Sequence, residues 1–289
     1  MSKINKKKVL VTGADGFIGS YLYDALDKKG YNVVDLGKVD IRDFKKILRI
    51  FKKEKPYAVF HLAALLPPGE NKTLFDVNVK GTFNLVEACR LQRVKRFIYS
   101  SSMNVYGDAK YLPVDEKHPI NPYDFYGLSK WLGEELVKFY TKQYDLTGVV
   151  LRYSGVYGLG KDQGAVANFI KNAKLNKPLR ILNNINWDII YVKDVVEANI
   201  KAFEKLNKIK FEVINIGTGK EINIKDLAEK IIKITESKSK IIFNKNKKSS
   251  VPWHFYFNIN KAKRLLKFKP CSYDTALKTN LAKIKQSSR

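Results

Sequence analysis

Short apolar runs alternate with longer amphipathic segments through the first half of the chain. The apolar runs have the length and composition of buried strands and cover Val9–Val11, Asn32–Asp35, Ala58–Leu62, Arg96–Ser100 and Gly148–Arg152. The amphipathic segments predict helices at Ile18–Lys29, Phe44–Lys53, Leu74–Leu91 and Phe125–Tyr144. Apolar strands that alternate with helices are typical of a parallel sheet covered by helices on both faces. The pattern therefore predicts an α/β fold built on a doubly wound parallel sheet.

The alternation loosens after about residue 155, where the connecting loops become longer. Four further helices and one strand are predicted there, at Asp194–Leu206, Glu212–Ile216, Ile224–Ile234, Asn260–Leu266 and Tyr273–Lys283. We therefore expect residues 1–155 to form the sheet domain and residues 156–289 to form mainly a smaller lobe, with residues from about 187 to 217 returning to the sheet. Folds of this type bind ligands in the cleft at the carboxyl ends of the strands.

The charge balance is strongly basic, with 54 lysines and arginines against 28 acidic residues and a formal net charge of +26. Such a surface attracts polyanions and small anionic molecules alike. The basic residues are mostly lysines spread along the chain, without the arginine-rich, aromatic-interleaved faces that are typical of nucleic-acid-binding modules. We therefore expect a solvated basic surface and no specific nucleic-acid partner. A polyanion-binding protein without enzymatic activity is the alternative.

Composition restricts the class of protein further. Hydrophobic residues make up 45% of the chain, which excludes a disordered polymer, and no stretch approaches the ~20 apolar residues of a membrane span. The first apolar run stops at Thr12, too early for a signal peptide. Two cysteines and three widely spaced histidines predict neither a disulfide framework nor a metal site. We expect a cytoplasmic protein with no membrane partner.

A glycine-rich loop follows the first predicted strand. Three glycines lie in Gly13-Ala14-Asp15-Gly16-Phe17-Ile18-Gly19, which leads directly into a helix. Glycines at this spacing let the backbone turn tightly and let a pyrophosphate approach the positive end of the helix. The next predicted strand ends at Asp35, whose carboxylate would bind a ribose diol and repel a 2′-phosphate. The loop therefore predicts a Rossmann-like dinucleotide site that prefers NAD, although Lys38 and Arg42 leave NADP open.

A tyrosine and a lysine stand four positions apart in Tyr126-Gly127-Leu128-Ser129-Lys130, at the start of a predicted helix. Side chains at this spacing project from one helix face. A nearby ammonium group favours the phenolate form, so we expect Lys130 to lower the pKa of Tyr126 toward a value useful for a general base. The strand that begins at Arg96 ends in three serines, at 100 to 102, on the ligand side of the sheet. The combination predicts proton transfer by Tyr126.

These motifs together resemble the extended short-chain dehydrogenase/reductases, the NAD-dependent epimerase/dehydratase family that acts on nucleotide sugars. The resemblance covers nearly the whole chain. The matching segments are Thr12–Gly19, Asp40-Ile41, His61–Ala64, Asn78–Thr82, Ser100–Ser102, Val105–Gly107, Tyr126–Lys130, Leu151–Tyr153, Val156–Gly158 and Ile190–Val195. Taken together they are specific for the family and much less specific for the substrate.

The resemblance implies a role for each matching position. Tyr126 would act as general base on a sugar hydroxyl, Ser102 would hydrogen-bond the same oxygen, and Lys130 would hold the nicotinamide ribose of the cofactor. The implied cofactor positions are Gly13, Gly16, Phe17, Ile18, Gly19, Asp35, Asp40, Ile41, Leu62, Ala63, Ala64, Asn78, Ser100, Tyr126, Lys130, Tyr153 and Val156. The implied substrate positions are Ser102, Asn104, Tyr126, Gly155, Asn168 and Trp187. A hydride would pass between NAD and the sugar carbon while the protein supplies orientation and proton transfer.

Two positions disfavour dehydration and decarboxylation. The family's dehydratases carry an Asp-Glu pair directly after the catalytic hydroxyl residue, and its decarboxylases keep the glutamate. Here these positions are Met103 and Asn104, so neither proton-shuttling acid is present. We therefore expect a UDP-glucose 4-epimerase-like reaction, in which the sugar is oxidised transiently and then reduced on its opposite face.

Three other positions depart from the epimerase pattern. The family usually has asparagine where Gly155 stands and arginine where Trp187 stands, and often a further arginine near Lys247. The loss of a bidentate guanidinium is not a conservative change at a phosphate site. Lys247 or Lys248 would substitute as point charges, and Trp187 either stacks on a base or sugar or packs in the core.

The loop after Asp35 supports a different reaction. Only four residues separate Asp35 from Asp40, a compact spacing similar to that of the reductases of dTDP- or GDP-4-keto-6-deoxy sugars. A ketoreductase would need the same tyrosine, lysine and serine but would use the hydride once and release oxidised cofactor. We therefore rank an epimerase first, a 4-ketoreductase second and a dinucleotide-binding protein without activity third. The resemblance also implies a homodimer formed by the helices that hold Asn78–Leu91 and Tyr126–Tyr144.

Overall fold

Parallel pairing of six strands builds the central sheet. The computed structural model describes residues 7–181, 185–205, 210–243 and 254–286. The strands of the sheet are β1 (Lys8–Thr12), β2 (Asn32–Asp35), β3 (Ala58–His61), β4 (Arg96–Ser102), β5 (Thr147–Tyr153) and β10 (Phe211–Ile216). They lie in the order β10-β5-β4-β3-β1-β2, with every neighbouring pair parallel. The predicted doubly wound parallel sheet is confirmed, and its order reverses between β1 and β3, where such sheets bind ligands.

Helices cover both faces of the sheet. They are α1 (Phe17–Lys28), α2 (Phe44–Glu54), α3 (Asn71–Leu74), α4 (Gly81–Leu91), α5 (Phe125–Gln143), α6 (Ala165–Lys174), α7 (Val192–Lys205), α8 (Ile224–Thr235), α9 (Asn260–Leu266) and α10 (Tyr273–Gln286). Alternate residues of β1 serve the two layers: Val9 and Val11 pack toward α1 and α7, and Leu10 packs toward α2, α4 and α5. This alternation explains why the strands read as uninterrupted apolar runs.

The rest of the described chain forms short strands and helices beyond the carboxyl end of β5. The short strands are β6 (Gly155–Tyr157), β7 (Leu179–Ile181), β8 (Asn186–Trp187), β9 (Ile189–Tyr191), β11 (Ile222–Asn223), β12 (Ile241–Phe243) and β13 (His254–Phe255). β6 follows β5 after one residue and pairs with β9, while β8 lies between β11 and β13. Within the described ranges, no helix is long and apolar enough to cross a lipid bilayer.

Sequence and structure differ most at the predicted helix Leu74–Leu91. The chain is helical from Asn71 to Leu91, but α3 leads into a π-helical segment at Phe75–Lys80 before α4 begins. Within the wider turn, the amide of Asn78 is buried against Leu65 and Ser129. The predicted helix over Leu74–Leu91 is confirmed, although it begins three residues earlier, and its π turns were not predicted because apolar periodicity does not distinguish the two helix types. The five predicted strands of the first half are confirmed, each within two residues of its observed ends.

Candidate active site

The loop between β1 and α1 is shaped by its glycines to receive an anion. Gly13 has φ +67°, and a Cβ there would lie 2.8 Å from the backbone nitrogen of Ala63. A Cβ on Gly19 would overlap the carbonyl oxygen of Gly13, so only glycine lets the first turn of α1 come this close to the loop. Gly16 caps α1 without a side-chain hydrogen bond, which leaves the first N–H groups of the helix to a ligand. The loop therefore fits the pyrophosphate of a dinucleotide.

Asp35 and Asp40, the two carboxylates expected at the adenosine end of the cofactor, have different hydrogen-bond partners. Asp35, at the end of β2, is exposed, and its Oδ1 accepts a 2.6 Å hydrogen bond from the backbone nitrogen of Gly37. Asp40 accepts from Arg42 at 2.9 Å from Nε and 2.5 Å from Nη2, and this hydrogen bonding lowers the pKa of Asp40. The guanidinium of Arg42 is thus occupied by Asp40, and the residue at the expected ribose position, Asp35, is an exposed carboxylate. This arrangement fits NAD better than NADP.

A buried hydrogen-bonded chain fixes the segment after β3. Nδ1 of His61 lies 2.8 Å from Oγ1 of Thr12, and its Nε2 lies 3.0 Å from Oγ1 of Thr82. Asn78 binds both backbone groups of Leu65, at 2.8 and 3.1 Å, and is 1% exposed. Among the expected cofactor residues, Phe17, Ile18, Leu62, Ala63 and Ala64 are half-buried, and Ile41, Asn78 and Val156 are buried. Asn78 therefore shapes the cofactor side of the sheet through Leu65.

β4 ends in three serines that have three different partners. Oγ of Ser100 lies 2.9 Å from the hydroxyl of Tyr153. Oγ of Ser101 donates to Glu134 at 2.5 Å. Oγ of Ser102 accepts from the backbone nitrogen of Asn104 at 3.2 Å. Because successive side chains of a strand point to opposite faces, the pleat separates three chemically identical groups.

Asp124 links the two halves of the expected catalytic set. Its Oδ1 accepts a 2.6 Å hydrogen bond from the backbone nitrogen of Gly127 and so caps α5 two residues before Tyr126. Its Oδ2 accepts from Nδ2 of Asn104 at 3.1 Å, and the backbone nitrogen of Asn104 donates to Oγ of Ser102 at 3.2 Å. Sequence reasoning missed Asp124, although an aspartate directly before a helix is a capping signal that could have found it. It ties the helix of Tyr126 to the end of β4.

Burial dominates the protonation of Tyr126 and Lys130. It raises the pKa of Tyr126 to about 12, and the nearby hydroxyl of Ser102 opposes this only in part. It lowers the pKa of Lys130 to about 7, opposed by the carboxylate of Glu134. Nζ of Lys130 lies 4.4 Å from the ring centroid of Tyr99. The expectation that Lys130 lowers the pKa of Tyr126 below its ordinary value is therefore wrong, because desolvation outweighs the other influences on both groups.

A buried ion pair lies behind Lys130. Glu134, one helical turn further along α5, accepts from Nε and Nη2 of Arg152 at 2.9 and 2.5 Å. Nη1 of Arg152 donates to the hydroxyl of Tyr106 at 2.7 Å, and that hydroxyl donates to Oδ1 of Asn215 at 2.7 Å. These bonds join α5, β5 and β10, so they fix the sheet edge beside which the site forms.

Gly155 and Trp187 meet where the sheet joins the smaller lobe. A Cβ on Gly155 would lie 2.7 Å from Nε1 of Trp187 and 3.1 Å from Cγ2 of Ile189. Nε1 of Trp187 is buried and finds no hydrogen-bond partner among the described residues. Next to it, the fully buried Asp188 accepts from the backbone nitrogen and the hydroxyl of Thr218, at 2.8 and 2.7 Å. The two residues that depart from the family pattern, Gly155 and Trp187, therefore contact each other, and the bonds of Asp188 with Thr218 hold the chain next to Trp187 in place.

A cavity of about 490 Å³ opens beside this contact, and we call it the lobe cavity. It lies between β6, the turn at residues 158–164 and one face of α6. Of the residues expected to bind cofactor or substrate, those that line it are Gly155, Val156 and Trp187. Asn168 is exposed on α6 and does not line it. Lys247 and Lys248 lie outside the described residues.

The histidines are separated in space as well as in sequence. His61 is buried in the chain of hydrogen bonds beside β3, and burial lowers its pKa well below the ordinary value. His118 accepts from the backbone nitrogen of Lys110 at 2.8 Å, and His254 is exposed beside Glu221. Across the part of the chain that the structure describes, no three His, Cys, Asp or Glu side chains are placed to hold a metal ion together.

Known proteins match this chain in sequence and in fold. The model of the NAD dependent epimerase/dehydratase family matches residues 9–217. A Methanocaldococcus jannaschii protein named "Putative UDP-glucose 4-epimerase" is 36% identical over 285 aligned positions, covering 89% of this chain and 92% of that protein. The structure of the Thermotoga maritima UDP-glucose 4-epimerase with UDP-glucose superposes with a TM-score of 0.90 at 29% identity, covering 98% of this chain and 100% of that chain. The Brucella ovis UDP-glucose 4-epimerase in complex with NAD gives 0.88 at 27% identity, covering 96% and 98%.

The matched region contains the glycine loop, the serines at the end of β4 and the segment Tyr126–Lys130. The likeness to solved structures extends over the smaller lobe as well. We conclude that this chain is an enzyme and belongs to the NAD-dependent epimerase/dehydratase family.

Proposed function

We propose that this enzyme is an NAD-dependent nucleotide-sugar 4-epimerase that interconverts UDP-glucose and UDP-galactose. The observation that carries the proposal is the meeting of the end of β4, which bears Ser102, with the first turns of α5, which bear Tyr126 and Lys130. Asp124 joins the two elements by capping α5 and by accepting a hydrogen bond from Asn104. This set lies at the carboxyl end of β4, where a parallel sheet binds its ligands. The likeness to the Thermotoga maritima enzyme, whose structure contains UDP-glucose, supports the choice of sugar nucleotide.

The geometry of the cofactor side fits NAD. The glycine loop would hold the pyrophosphate, Asp35 the adenosine ribose, Asp40 and Ile41 the adenine, and Lys130 the nicotinamide ribose. The rest of the cofactor would be lined by Leu62, Ala63, Ala64, Asn78, Ser100, Tyr153 and Val156. When bound, NAD supplies an acceptor that takes a hydride from the sugar and later gives it back.

Tyr126 would carry the proton. Its phenolate oxygen would take the proton of the sugar 4-hydroxyl while the sugar carbon gives up its hydride, and would return the proton when the opposite face of the 4-keto sugar is reduced. Ser102 would hold the same sugar oxygen through its hydroxyl. A protonated Lys130 would stabilise the phenolate, and the neighbouring carboxylate of Glu134 favours that protonated form.

Met103 and Asn104 limit the reaction class. Neither side chain is an acid, and the amide of Asn104 is bound to Asp124. A leaving hydroxyl or carboxylate would find no proton donor at these positions, so elimination of water and decarboxylation are not supported.

We also propose a homodimer formed through α4 and α5. The two helices pack side by side and expose aromatic rings on a common surface. Phe83 is 43% exposed, Phe139 is 53% exposed and Tyr144 is 41% exposed. Phe83 lies 6.4 Å from Tyr140, and Phe139 lies 6.5 Å from Tyr144, between ring centroids. A row of neighbouring rings on two parallel, side-by-side helices suits a self-complementary interface.

The purified protein tests the reaction directly. An absorbance spectrum and mass analysis would detect retained NAD, and incubation with UDP-glucose without added cofactor should produce UDP-galactose. GDP-, CDP- and dTDP-sugars test the other nucleotides in the same assay. A protein that consumes added NADH or NADPH only with a 4-keto sugar would instead be a ketoreductase, which the four residues between Asp35 and Asp40 favour. Retained cofactor without either reaction would overturn the proposal.

A further inference from the structure

The lobe cavity carries an excess of positive charge. Its described lining holds Lys161, Lys171 and Lys174 against one carboxylate, that of Asp162. The first turn of α6 also opens into it, because Gly164–Ala167 form part of the wall and the helix starts without a side-chain cap. Lysines and the N-terminus of a ten-residue helix attract an anion to the same place.

Lys161 differs from the other two lysines in its surroundings. Its Nζ donates to the carbonyl oxygen of Val156 at 2.5 Å and lies 5.9 Å from the ring centroid of Phe17. Burial lowers the pKa of its ammonium group, whereas Lys171 and Lys174 are exposed. Among the described residues, no carboxylate forms an ion pair with Lys161. A partly desolvated ammonium group with only a carbonyl partner is stabilised by an anionic ligand.

The turn that carries Lys161 is docked against the start of α1. The hydroxyl of Tyr21 donates to the carbonyl oxygen of Leu159 at 2.9 Å. A Cβ on Gly158 would lie 3.2 Å from Cζ of Phe17, so the turn and the glycine loop are in close contact. Lys161 is therefore held at the boundary between the cofactor loop and the lobe cavity.

The same cavity contains a buried amide that lacks a partner. Asn280 on α10 is 1% exposed and lines the cavity. Its Oδ1 is buried and has no hydrogen-bond partner within the described ranges. A buried carbonyl oxygen left unpaired costs free energy, so this position suits a ligand that brings an N–H or O–H donor. A nucleoside diphosphate combines such a donor, on its base, with the anion that the lysines attract.

We propose that Lys161 binds the diphosphate of the substrate in the lobe cavity, with the nucleoside directed toward Asn280. The inference rests on the proposed function, because it takes a nucleotide sugar as the ligand. Gly155 and Trp187 line the cavity but carry no charge that could bind a phosphate. In this proposal the positive charge that binds the diphosphate comes from the turn after β6. Lys161 is thus a substrate-binding residue that departs from the asparagine and arginine expected of the family.

Equilibrium binding to the full-length protein tests this assignment. UDP, UMP and uridine are titrated into the wild type and into Lys161→Met, Lys161→Arg and Lys177→Met, because Lys177 is an exposed lysine just beyond α6 and outside the cavity lining. Lys161→Met should weaken UDP roughly tenfold or more while leaving uridine unchanged, as expected for loss of one charged hydrogen bond. Lys161→Arg should retain most of the affinity, and Lys177→Met should retain all of it.

Three results would overturn the assignment. Equal weakening of UDP by Lys161→Met and Lys177→Met would show a general effect of surface charge. Loss of retained NAD with unchanged UDP affinity would place Lys161 at the cofactor instead. If UDP, GDP, CDP and dTDP all failed to bind the wild type, nucleoside diphosphates would be ruled out as ligands of the lobe cavity. An enzyme that binds UDP through Lys161 but does not epimerise UDP-glucose would overturn only the proposed reaction.

Discussion

Trp187 occupies the space that a side chain at Gly155 would need. A Cβ on Gly155 would lie 2.7 Å from Nε1 of the indole, closer than side-chain carbons approach other heavy atoms in real structures. The anchoring of Asp188 by Thr218 keeps the strand of Trp187 from moving away. The residue types at 155 and 187 therefore depend on each other, which neither position indicates alone.

A double-mutant cycle measures that dependence. Gly155→Ala should destabilise the protein by roughly 1–3 kcal/mol through overpacking against the indole. In the Trp187→Ala background the same change should cost much less, giving a coupling of about 0.5–3 kcal/mol in denaturant unfolding. Gly69→Ala is the control, because the nearest atom to its Cβ is a flexible leucine methyl at 3.3 Å. Additive effects of the two changes would contradict the contact.

Tyr126→Phe removes the proposed proton carrier and keeps the ring. We expect kcat for UDP-glucose to fall roughly 10²-fold or more, with NAD still retained and the unfolding midpoint little changed. Tyr123→Phe is a matched control, since Tyr123 lies three residues earlier, just before α5, and is 41% exposed. Steady-state kinetics of both variants decide the matter, and near-wild-type turnover of Tyr126→Phe would rule out the mechanism.

Asp124→Ala separates helix capping from positioning of the site. The loss of the cap should cost about 1 kcal/mol of stability, and the loss of the contact with Asn104 should lower kcat roughly tenfold. Asp43 caps α2 in the same way, through a hydrogen bond from the backbone of Lys46. Asp43→Ala should therefore cost similar stability and leave kcat unchanged. Equal kcat in the two variants would show that Asp124 is only a cap.

The buried ammonium of Lys130 should make stability depend on pH. Its pKa in the folded protein is about 7 against an ordinary value of 10.5, so the unfolded chain binds more protons between these pH values. The free energy of unfolding should therefore rise with pH from about 7 to 9, by at most about 1.4 kcal/mol per pH unit from this group. Denaturant unfolding of the wild type and of Lys130→Met isolates the effect as a difference in slope. Parallel pH profiles would contradict the assigned burial.

Phe139→Glu tests the dimer surface. A buried, unpaired carboxylate in the interface should convert the proposed dimer to a monomer, seen by size-exclusion chromatography with light scattering. Leu175→Glu is the control, because Leu175 is 56% exposed at the end of α6 and lies outside α4 and α5. A wild-type protein that is monomeric at tens of micromolar would contradict the proposed assembly.

The sheet was predictable because strands buried on both faces are apolar along their whole length. The glycine loop was predictable as well, because glycines three residues apart are required by the tight turn between a strand and a closely packed helix. The π segment within Leu74–Leu91 was not, since α and π turns show the same apolar pattern; it contains Asn78, whose partner Leu65 lies 13 residues earlier.

Contacts across long sequence distances explain what sequence reasoning missed in the site. The position of Asn104 depends on Asp124, and the surroundings of Lys130 depend on the ion pair of Glu134 with Arg152. The protonation of Tyr126 follows from burial, which the motif does not specify. A motif thus names the reacting groups, while distant neighbours set their chemistry.

The end of β4 has a consequence for anyone who moves this active site to another scaffold. Ser100, Ser101 and Ser102 are the same residue type, yet their pairing with β5 opposite Leu151, Arg152 and Tyr153 decides which task each performs. A slip of one residue in that pairing would leave the amino-acid composition intact and exchange the neighbours of every hydroxyl. A transplant that copies the side chains must therefore also copy the strand register, and an insertion in β4 should be more harmful than any single serine substitution.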